Sequence, residues 1–262
     1  MRHRVLRQQV IGERSQGALI VTGGSRGIGA AISRMAAARG YAVVVNFAVD
    51  TEAAQAVVDA IRSHGGCAAA VQADVAHESD VMDLFDQTDR LFGPLRGLVN
   101  SAGITGGFSR VDSVAGSMLA RLWAVNVTGP ILCAREAVRR MSLKHGGQGG
   151  VIVNISSRAA DLGLPGEWVH YAASKGAVNT FTIGLASEVA NEGIRVNAVA
   201  PGLIETDIHA AAGDPERLTR LVGCVPMGRI GTADEVAEAV VWLLSPASSY
   251  VTGSILTVSG GR

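Results

Sequence analysis

The stretch VTGGSRGIGA, residues 21–30, decides the fold. It joins an apolar run, ALIV at 18–21, to a helical pattern, GAAISRMAAARG at 29–40. Glycines at 23, 27 and 29 permit a tight turn and let backbone come close to a ligand. A helix that starts straight after such a turn offers N–H groups and the positive end of its dipole to a pyrophosphate. The spacing Gly23-x-x-x-Gly27-x-Gly29 departs from the standard G-x-G-x-x-G, and taken alone it is weak evidence, since such turns also serve structure only. Its place between the first strand and the first helix is what gives it weight.

Working outward, apolar runs alternate with helical patterns. AVVVNF (42–47), AAAVQADV (68–75), LRGLVNSAG (95–103), GVIVNIS (150–156), IRVNAVAPG (194–202) and SILTVSG (254–260) read as further strands. Helices are predicted over 50–66, 79–93, 170–192 and 232–245, with a long mixed helical stretch over 112–145. Thr232 and Glu235 have the spacing of a capping box. Strands alternating with helices of this length imply parallel pairing through helical crossovers, and strands apolar throughout imply a sheet covered on both faces. The expected fold is one α/β domain, doubly wound and mostly parallel, over 18–262.

Composition sets limits. Of 262 residues 48% are hydrophobic, enough for a large core, yet no apolar run reaches the ~18 residues of a membrane span. Lys and Arg number 23 against 23 Asp and Glu, so nothing favours a polyanionic partner such as nucleic acid, and neither nucleic acid nor membrane is expected to be a partner. Cys67, Cys133 and Cys224 are widely spaced, suit a reducing compartment and give no metal-ligand spacing, so no metal is expected and a cytoplasmic location is. Residues 1–17, MRHRVLRQQVIGERSQG, are Arg-rich without the long apolar segment of a secretory signal, and are expected to form a flexible extension outside the fold.

Chemistry-bearing residues fall at the ends of the strands. Asp74 ends the third and Asn100 the fourth, where open parallel sheets bind ligands, although either residue type also caps loops. Asn126 lies within a helical segment, where a buried amide is as readily structural. Ser157 follows the fifth strand. Tyr171 and Lys175, in HYAASK (170–175), are one helical turn apart with only small alanines and a serine between them. Trp168 and His170 beside them read as pocket lining.

Taken together these residues resemble the short-chain dehydrogenase/reductase superfamily, in its TGxxxGxG branch, from about residue 17 to 262. The matching blocks are TGGSRGIG (22–29), DV (74–75), NSAG (100–103), Asn126, NISS (154–157), YAASK (171–175), RVNAVAPGLIET (195–206) and YVTGSILTVSGG (250–261). The resemblance implies a Rossmann-type seven-stranded sheet, a nicotinamide cofactor and a catalytic tetrad, here Asn126, Ser157, Tyr171 and Lys175. It implies cofactor contacts from Gly23, Ser25, Arg26, Gly27, Ile28 and Gly29 in the turn, and from Asn46, Asp74, Val75, Asn100, Ala102 and Gly103 at the strand ends. Tyr171 and Lys175 add theirs, with Pro201, Gly202, Ile204 and Thr206 after strand six. A homotetramer is implied too, paired through the two long helices and through the last helix and strand. Three departures stand out: Ser101 replaces a usual second Asn, Ser259 stands where an Asp is common, and the stretch from Ser157 to Tyr171 is one residue longer than in many relatives.

The resemblance implies interconversion of a carbonyl and a secondary alcohol, with Tyr171 giving or taking the proton. A free phenol has a pKa of ~10, so use near neutrality asks for about three units, roughly 4 kcal/mol. A hydrogen bond supplies about 1 kcal/mol. A nearby cation in a partly dry site supplies more, and this is the expected role of Lys175. Ser157 is expected to hold the substrate oxygen, and Asn126 a water behind Lys175. NADP(H) is expected over NAD(H). NAD-specific sites place an acid at the end of strand two, where Phe47 stands here, and Asp50 more naturally starts the next helix. Arg26 puts a guanidinium near the place of a 2′-phosphate, with Ser25 and Asn46 as neutral donors. The segment about 203–230 is expected to be a mobile loop over a small-molecule carbonyl or alcohol substrate. Its mixture of Ile208, Leu218, Leu221, Val222 and Met227 with Asp214, Glu216 and Arg217 names no substrate. A 3-oxoacyl-acyl-carrier-protein reductase, with Arg110, Arg121, Arg139 and Arg140 meeting an acidic carrier, and a sugar or polyol dehydrogenase are the alternatives. From another class, a cofactor-sensing protein would be expected to lack the tyrosine or lysine, and both are present.

Overall fold

Alternate residues of each central strand face opposite layers of helix, which is why these strands tolerate no polar stripe. The computed structural model describes residues 16–206, 213–214 and 216–262. Its strands are β1 (Ala18–Thr22), β2 (Ala42–Phe47), β3 (Cys67–Gln72), β4 (Leu95–Asn100), β5 (Gly150–Ile155), β6 (Ile194–Pro201) and β7 (Ile255–Val258). They form one 7-stranded sheet in the order β3-β2-β1-β4-β5-β6-β7, with every neighbouring pair parallel.

Leu19, Val21, Val43, Val45, Val151 and Val153 pack on one side, against helices α1 (Gly27–Ala38), α2 (Thr51–Ser63) and α9 (Ala233–Leu244). Ala18, Ile20, Val44, Leu98 and Ile152 pack on the other, against α3 (Glu78–Phe92), α5 (Gly129–Met141) and α7 (Val169–Val189). The sheet order reverses between β1 and β4. That reversal opens a crevice at the carboxyl ends of the strands, and the glycine turn and the segment after Asn100 both lie there.

The differences from the predicted elements have local causes. β3 stops at Gln72, so Asp74 lies beyond it. There the Asp74 N–H donates to Asp80 Oδ2 at 3.0 Å and Asp74 Oδ1 accepts from the Ala76 N–H at 3.0 Å, which turns the chain away from the sheet. β4 stops at Asn100 because Thr22 Oγ1 takes the N–H groups of Ser101 and Ala102, at 3.0 and 3.1 Å. The long helical stretch is α4 (Gly116–Trp123), a π-turn (Ala124–Thr128) and α5 in sequence. By length and composition alone Gly116–Met141 would suffice to cross a membrane. Its buried Leu122, Val125, Cys133, Ala137 and Met141 face the core instead, and Arg121, Arg135, Arg139 and Arg140 lie along it. The predicted capping box is present: Glu235 N–H donates to Thr232 Oγ1 at 3.2 Å and Thr232 N–H to Glu235 Oε2 at 2.9 Å.

Of the expected N-terminal extension, residues 1–15 lie outside the described residues, while the Gln16 N–H already donates to Gly40 O at 3.0 Å. Of the expected substrate loop, residues 207–212 and 215 lie outside them too. The described part includes a short helix, α8 (Arg217–Leu221).

Candidate active site

The glycine turn is built by close approach. Gly23 has φ +61°, and a Cβ there would lie 2.9 Å from Ala102 Cα. A Cβ on Gly29 would lie 2.2 Å from Gly23 O, so only glycine lets the first turn of α1 sit on the loop. The Arg26 side chain makes no cap bond to α1, and no acid lies in the first turn. The N-terminus of this helix is thus positive and open to an anion. Thr206, from the far side of the crevice, comes to the same place: its Cγ2 lies 3.3 Å from where a Gly27 Cβ would be. A cradle that added Cβ atoms would fill, at a helix start without acids, fits a dinucleotide.

The expected cofactor residues divide into two kinds. Asn46 is buried, and its amide is taken up by backbone: Oδ1 accepts from Gly23 N–H at 3.3 Å and Nδ2 donates to Ala73 O at 3.0 Å. It shapes the turn. Asn100 Nδ2 donates to Asn154 Oδ1 at 2.9 Å, and Asn154 in turn donates to Thr182 Oγ1 at 2.9 Å, tying β4 and β5 to α7. Asn100 Oδ1 is buried and has no partner among the described residues. Asp74 pairs with Arg121 at 2.8 Å. Burial opposes the Asp74 charge, but the hydrogen bonds from Arg121 and the Ala76 N–H outweigh it and hold the carboxyl below its ordinary range. Val75 is core. Its carbonyl lies 2.9 Å from where a Gly129 Cβ would be, which is why glycine begins α5. Gly202 passes Ser259, which a Cβ would meet at 2.7 Å. Pro201 O accepts from Arg158 N–H at 2.9 Å, and Ile204 bridges to Gly231. Ser25 and Ile28 belong to the open turn, and Gly103 faces Asn126 Oδ1 and Lys175 Nζ, which its Cβ would meet at 3.5 and 3.6 Å.

Arg26 and Phe47 bear on cofactor choice. Phe47 is buried. Arg26 is exposed, and its Nη1 lies 4.0 Å from Asp50 Oδ2, a pair that water screens strongly. Asp50 caps α2 as expected, with Oδ1 accepting from Ala53 N–H at 2.9 Å.

Asn126, Ser157, Tyr171 and Lys175 do gather at one place. Tyr171 is 9% and Lys175 5% exposed, and the ammonium lies 5.7 Å from the phenol ring centre. Lys175 Nζ donates to Ile155 O at 2.8 Å. Burial pulls the lysine down to about 8. Ser157 lies near enough to the Tyr171 hydroxyl to act against the effect of burial on it, and its Oγ accepts from Ala159 N–H at 3.1 Å. Asn126 sits in the π-turn. Its Oδ1 accepts from Ile104 N–H at 2.9 Å, and its Nδ2 donates to Ile104 O at 2.8 Å and Ser174 Oγ at 3.1 Å. It clips the segment after β4 to α7.

One electrostatic expectation needs correction. Burial pushes the Tyr171 hydroxyl above its ordinary value. Set against that burial are the Ser157 side chain and then the charge of Arg217. Dehydration of both tyrosine and lysine is the physical reason: it costs the phenolate more than the surroundings in the chain return.

The substrate side is made of side chains. Trp168 meets Tyr171 edge to face at 6.0 Å, Phe108 stacks on Trp168 at 4.8 Å, and the Arg217 guanidinium lies 4.3 Å from the Trp168 ring centre. Thr22, Phe108 and Glu167 escaped the sequence reading, and Arg217 entered it only as a charge in the loop. Thr22 was visible within TGGSRGIG. The Glu167–Arg217 pair spans 50 residues and leaves no local signal.

Residues 23–262 match the family described as enoyl-(acyl carrier protein) reductase. The chain is 51% identical over 243 residues to the uncharacterized oxidoreductase YgfF of Escherichia coli strain K12, covering 93% of this chain and 98% of that protein. It is 41% identical to a 3-oxoacyl-[acyl-carrier-protein] reductase of a Synechocystis species, covering 92% and 95%. Among solved structures, a short chain dehydrogenase from Burkholderia cenocepacia in complex with NADP superposes with a TM-score of 0.87 at 34% identity, covering 95% and 99%.

Proposed function

The chain belongs to the short-chain dehydrogenase/reductase superfamily and is an oxidoreductase of that family, and from that premise we propose that it interconverts a carbonyl and a secondary alcohol using NADP(H), with Tyr171 as general acid and base. The observation that carries this reading is the buried pair at the crevice: Tyr171 and Lys175, one helical turn apart, with the ammonium 5.7 Å from the phenol ring centre and Ser157 close by.

Gly23, Gly27 and Gly29 with the start of α1 and Thr206 would hold the pyrophosphate, and Lys175 the nicotinamide ribose. Bound there, the cofactor supplies or accepts the hydride at the substrate carbon. Ser157 would hold the substrate oxygen. In reduction Tyr171 gives its proton to that oxygen, and in oxidation the phenolate takes it back. Lys175, drawn to about 8, exchanges a proton close to neutrality and so can restore the tyrosine. Trp168 and Phe108 exclude water from one side. Asn126 holds the segment carrying Gly103 against α7.

The preference for NADP(H) is supported by Phe47 at the end of β2, where an acid would repel a 2′-phosphate, and by the exposed Arg26. A carrier-protein substrate finds less support: Arg110, Arg121, Arg139 and Arg140 each pair with a carboxylate, Arg140 with Asp86, Asp89 and Glu136 at 2.6–2.8 Å. A homotetramer is part of the same proposal, supported by exposed Ile131 and Ile183 on the two long helices and Trp242 on α9, and light scattering tests it. The reading as a whole is tested by purified protein with NADPH or NADH and a panel of reactive ketones. NADPH-dependent reduction is expected. No turnover of any ketone, or of the matching alcohols with NADP⁺, would contradict it.

A further inference from the structure

Arg217 is 2% exposed on a helix that the reaction as described does not use. A guanidinium does not shed its proton, so burying one requires compensation. Two neighbours supply it. Nη2 donates to Glu167 Oε2 at 2.7 Å, and the flat face lies over Trp168. Among the described residues Arg217 Nε, also buried, has no hydrogen-bond partner. Its counter-ion is wetter, with the Glu167 side chain 30% exposed. Water screens the carboxylate more than the guanidinium, and the pair therefore presents a net positive field to its dry side. Trp168 touches both that cation and Tyr171.

We propose that Arg217 is a positioning residue of the active site: a fixed buried cation, seated on Trp168 and held by Glu167, that favours the phenolate of Tyr171 and so sets the pH at which the tyrosine exchanges its proton. The assignment rests on the reading of Tyr171 as acid and base. Its charge acts on the hydroxyl in the direction opposite to burial. Among the described residues the other ionisable groups on the neighbouring elements have partners of their own. Lys175 and His170 stand on the same helix, His170 with Nε2 3.1 Å from Thr105 O. From α6 (Ala159–Leu162) and its flank, Asp161 pairs with Arg158. Beside α8, Asp214 pairs with Arg220, and in the loop that carries Phe108, Arg110 pairs with Asp112. Among these arginines only Arg217 is buried.

The test is the pH profile of kcat/KM for oxidation of an alcohol that the parent turns over, which rises as Tyr171 loses its proton. Arg217→Gln removes the cation, and the rising limb should move up by about one pH unit. Glu167→Gln removes the screening anion, and the limb should move down by about half a unit. Arg217→Lys keeps the charge and should keep the parent limb while raising KM. NADPH affinity should be unchanged in all three. Loosened packing would not displace the limb in opposite directions for the two glutamine variants. If Arg217→Gln does not fold, Glu167→Gln and Arg217→Lys still decide. Limbs that overlay the parent for both glutamine variants, or move the same way, overturn the proposal. Tyr171→Phe run alongside separates the two levels: if it is inactive while the limbs overlay, the role of Arg217 fails and that of Tyr171 stands.

Discussion

The two walls of the crevice are built by different means. The cofactor wall is backbone. Gly23 against Ala102, Gly29 against Gly23 and Thr206 over Gly27 are close approaches that any added carbon would spoil, and the amides of Asn46 and Asn100 brace the strands beneath. The substrate wall is side chains stacked on one another, Phe108 on Trp168, Arg217 on Trp168 and Trp168 on Tyr171, with buried polar atoms at His170 Nδ1 and Arg217 Nε lacking partners. The first kind of wall has one solution and is intolerant of change. The second repacks when one residue is exchanged, so chemistry can stay constant while the substrate varies.

The largest effect should come where the walls meet. Tyr171→Phe keeps the ring against Trp168 and removes only the proton. Turnover should fall by ~10² to 10⁴-fold with NADPH affinity unchanged, as steady-state rates and cofactor titration would report. Retention of more than half the activity would remove the tyrosine from the reaction.

On the cofactor wall, Gly29→Ala drives a methyl group onto the Gly23 carbonyl. Loss of about 1–3 kcal/mol of stability and weaker NADPH binding are expected, by denaturant titration and by fluorescence. A variant as stable and as tight as the parent would show that this wall gives way as readily as the other.

Arg26→Ala is a finer cut on the same wall. The parent should bind NADPH at least tenfold tighter than NADH, about 1.4 kcal/mol, and the variant should lose most of that gap. Equal dissociation constants in the parent would overturn the assignment.

The smallest effect sharpens the boundary itself. Lys175 is buried with one carbonyl as acceptor, so Lys175→Met should abolish turnover yet raise stability by roughly 0.5–2 kcal/mol. Its folded value of about 8 lies below the ordinary 10.5, so the unfolded chain binds the extra proton between those values. This contribution rises with pH across that window, so the slope of stability against pH should be more positive in the parent than in the variant, as melting curves at several pH values would show.

Legibility in the sequence follows the same division. The strands and the glycine turn could be read because apolar runs and glycine spacing are local, and Ser157, Tyr171 and Lys175 could be picked out because HYAASK and NISS are short blocks. Reading the residues alone left the tyrosine and lysine an i,i+4 pair, and the resemblance joined Ser157 and Asn126 to them. The π-turn at Asn126 was invisible within a continuous helical pattern. So was the end of β3 before Asp74, which hydrogen bonds to Asp80 and Ala76 set rather than any apolar period. Arg217 looked like one more loop charge. Only the folded chain brings it to Glu167 and Trp168.

The most direct test of the central claim follows an isotope. NADPH carrying deuterium at both C4 positions is incubated with the protein and a ketone from the panel, and the alcohol is examined by mass spectrometry and NMR. One deuterium on the carbinol carbon per NADPH consumed is expected from the parent protein, with transfer suppressed in Tyr171→Phe. Alcohol without deuterium at that carbon, or equal transfer by the two proteins, would contradict the account.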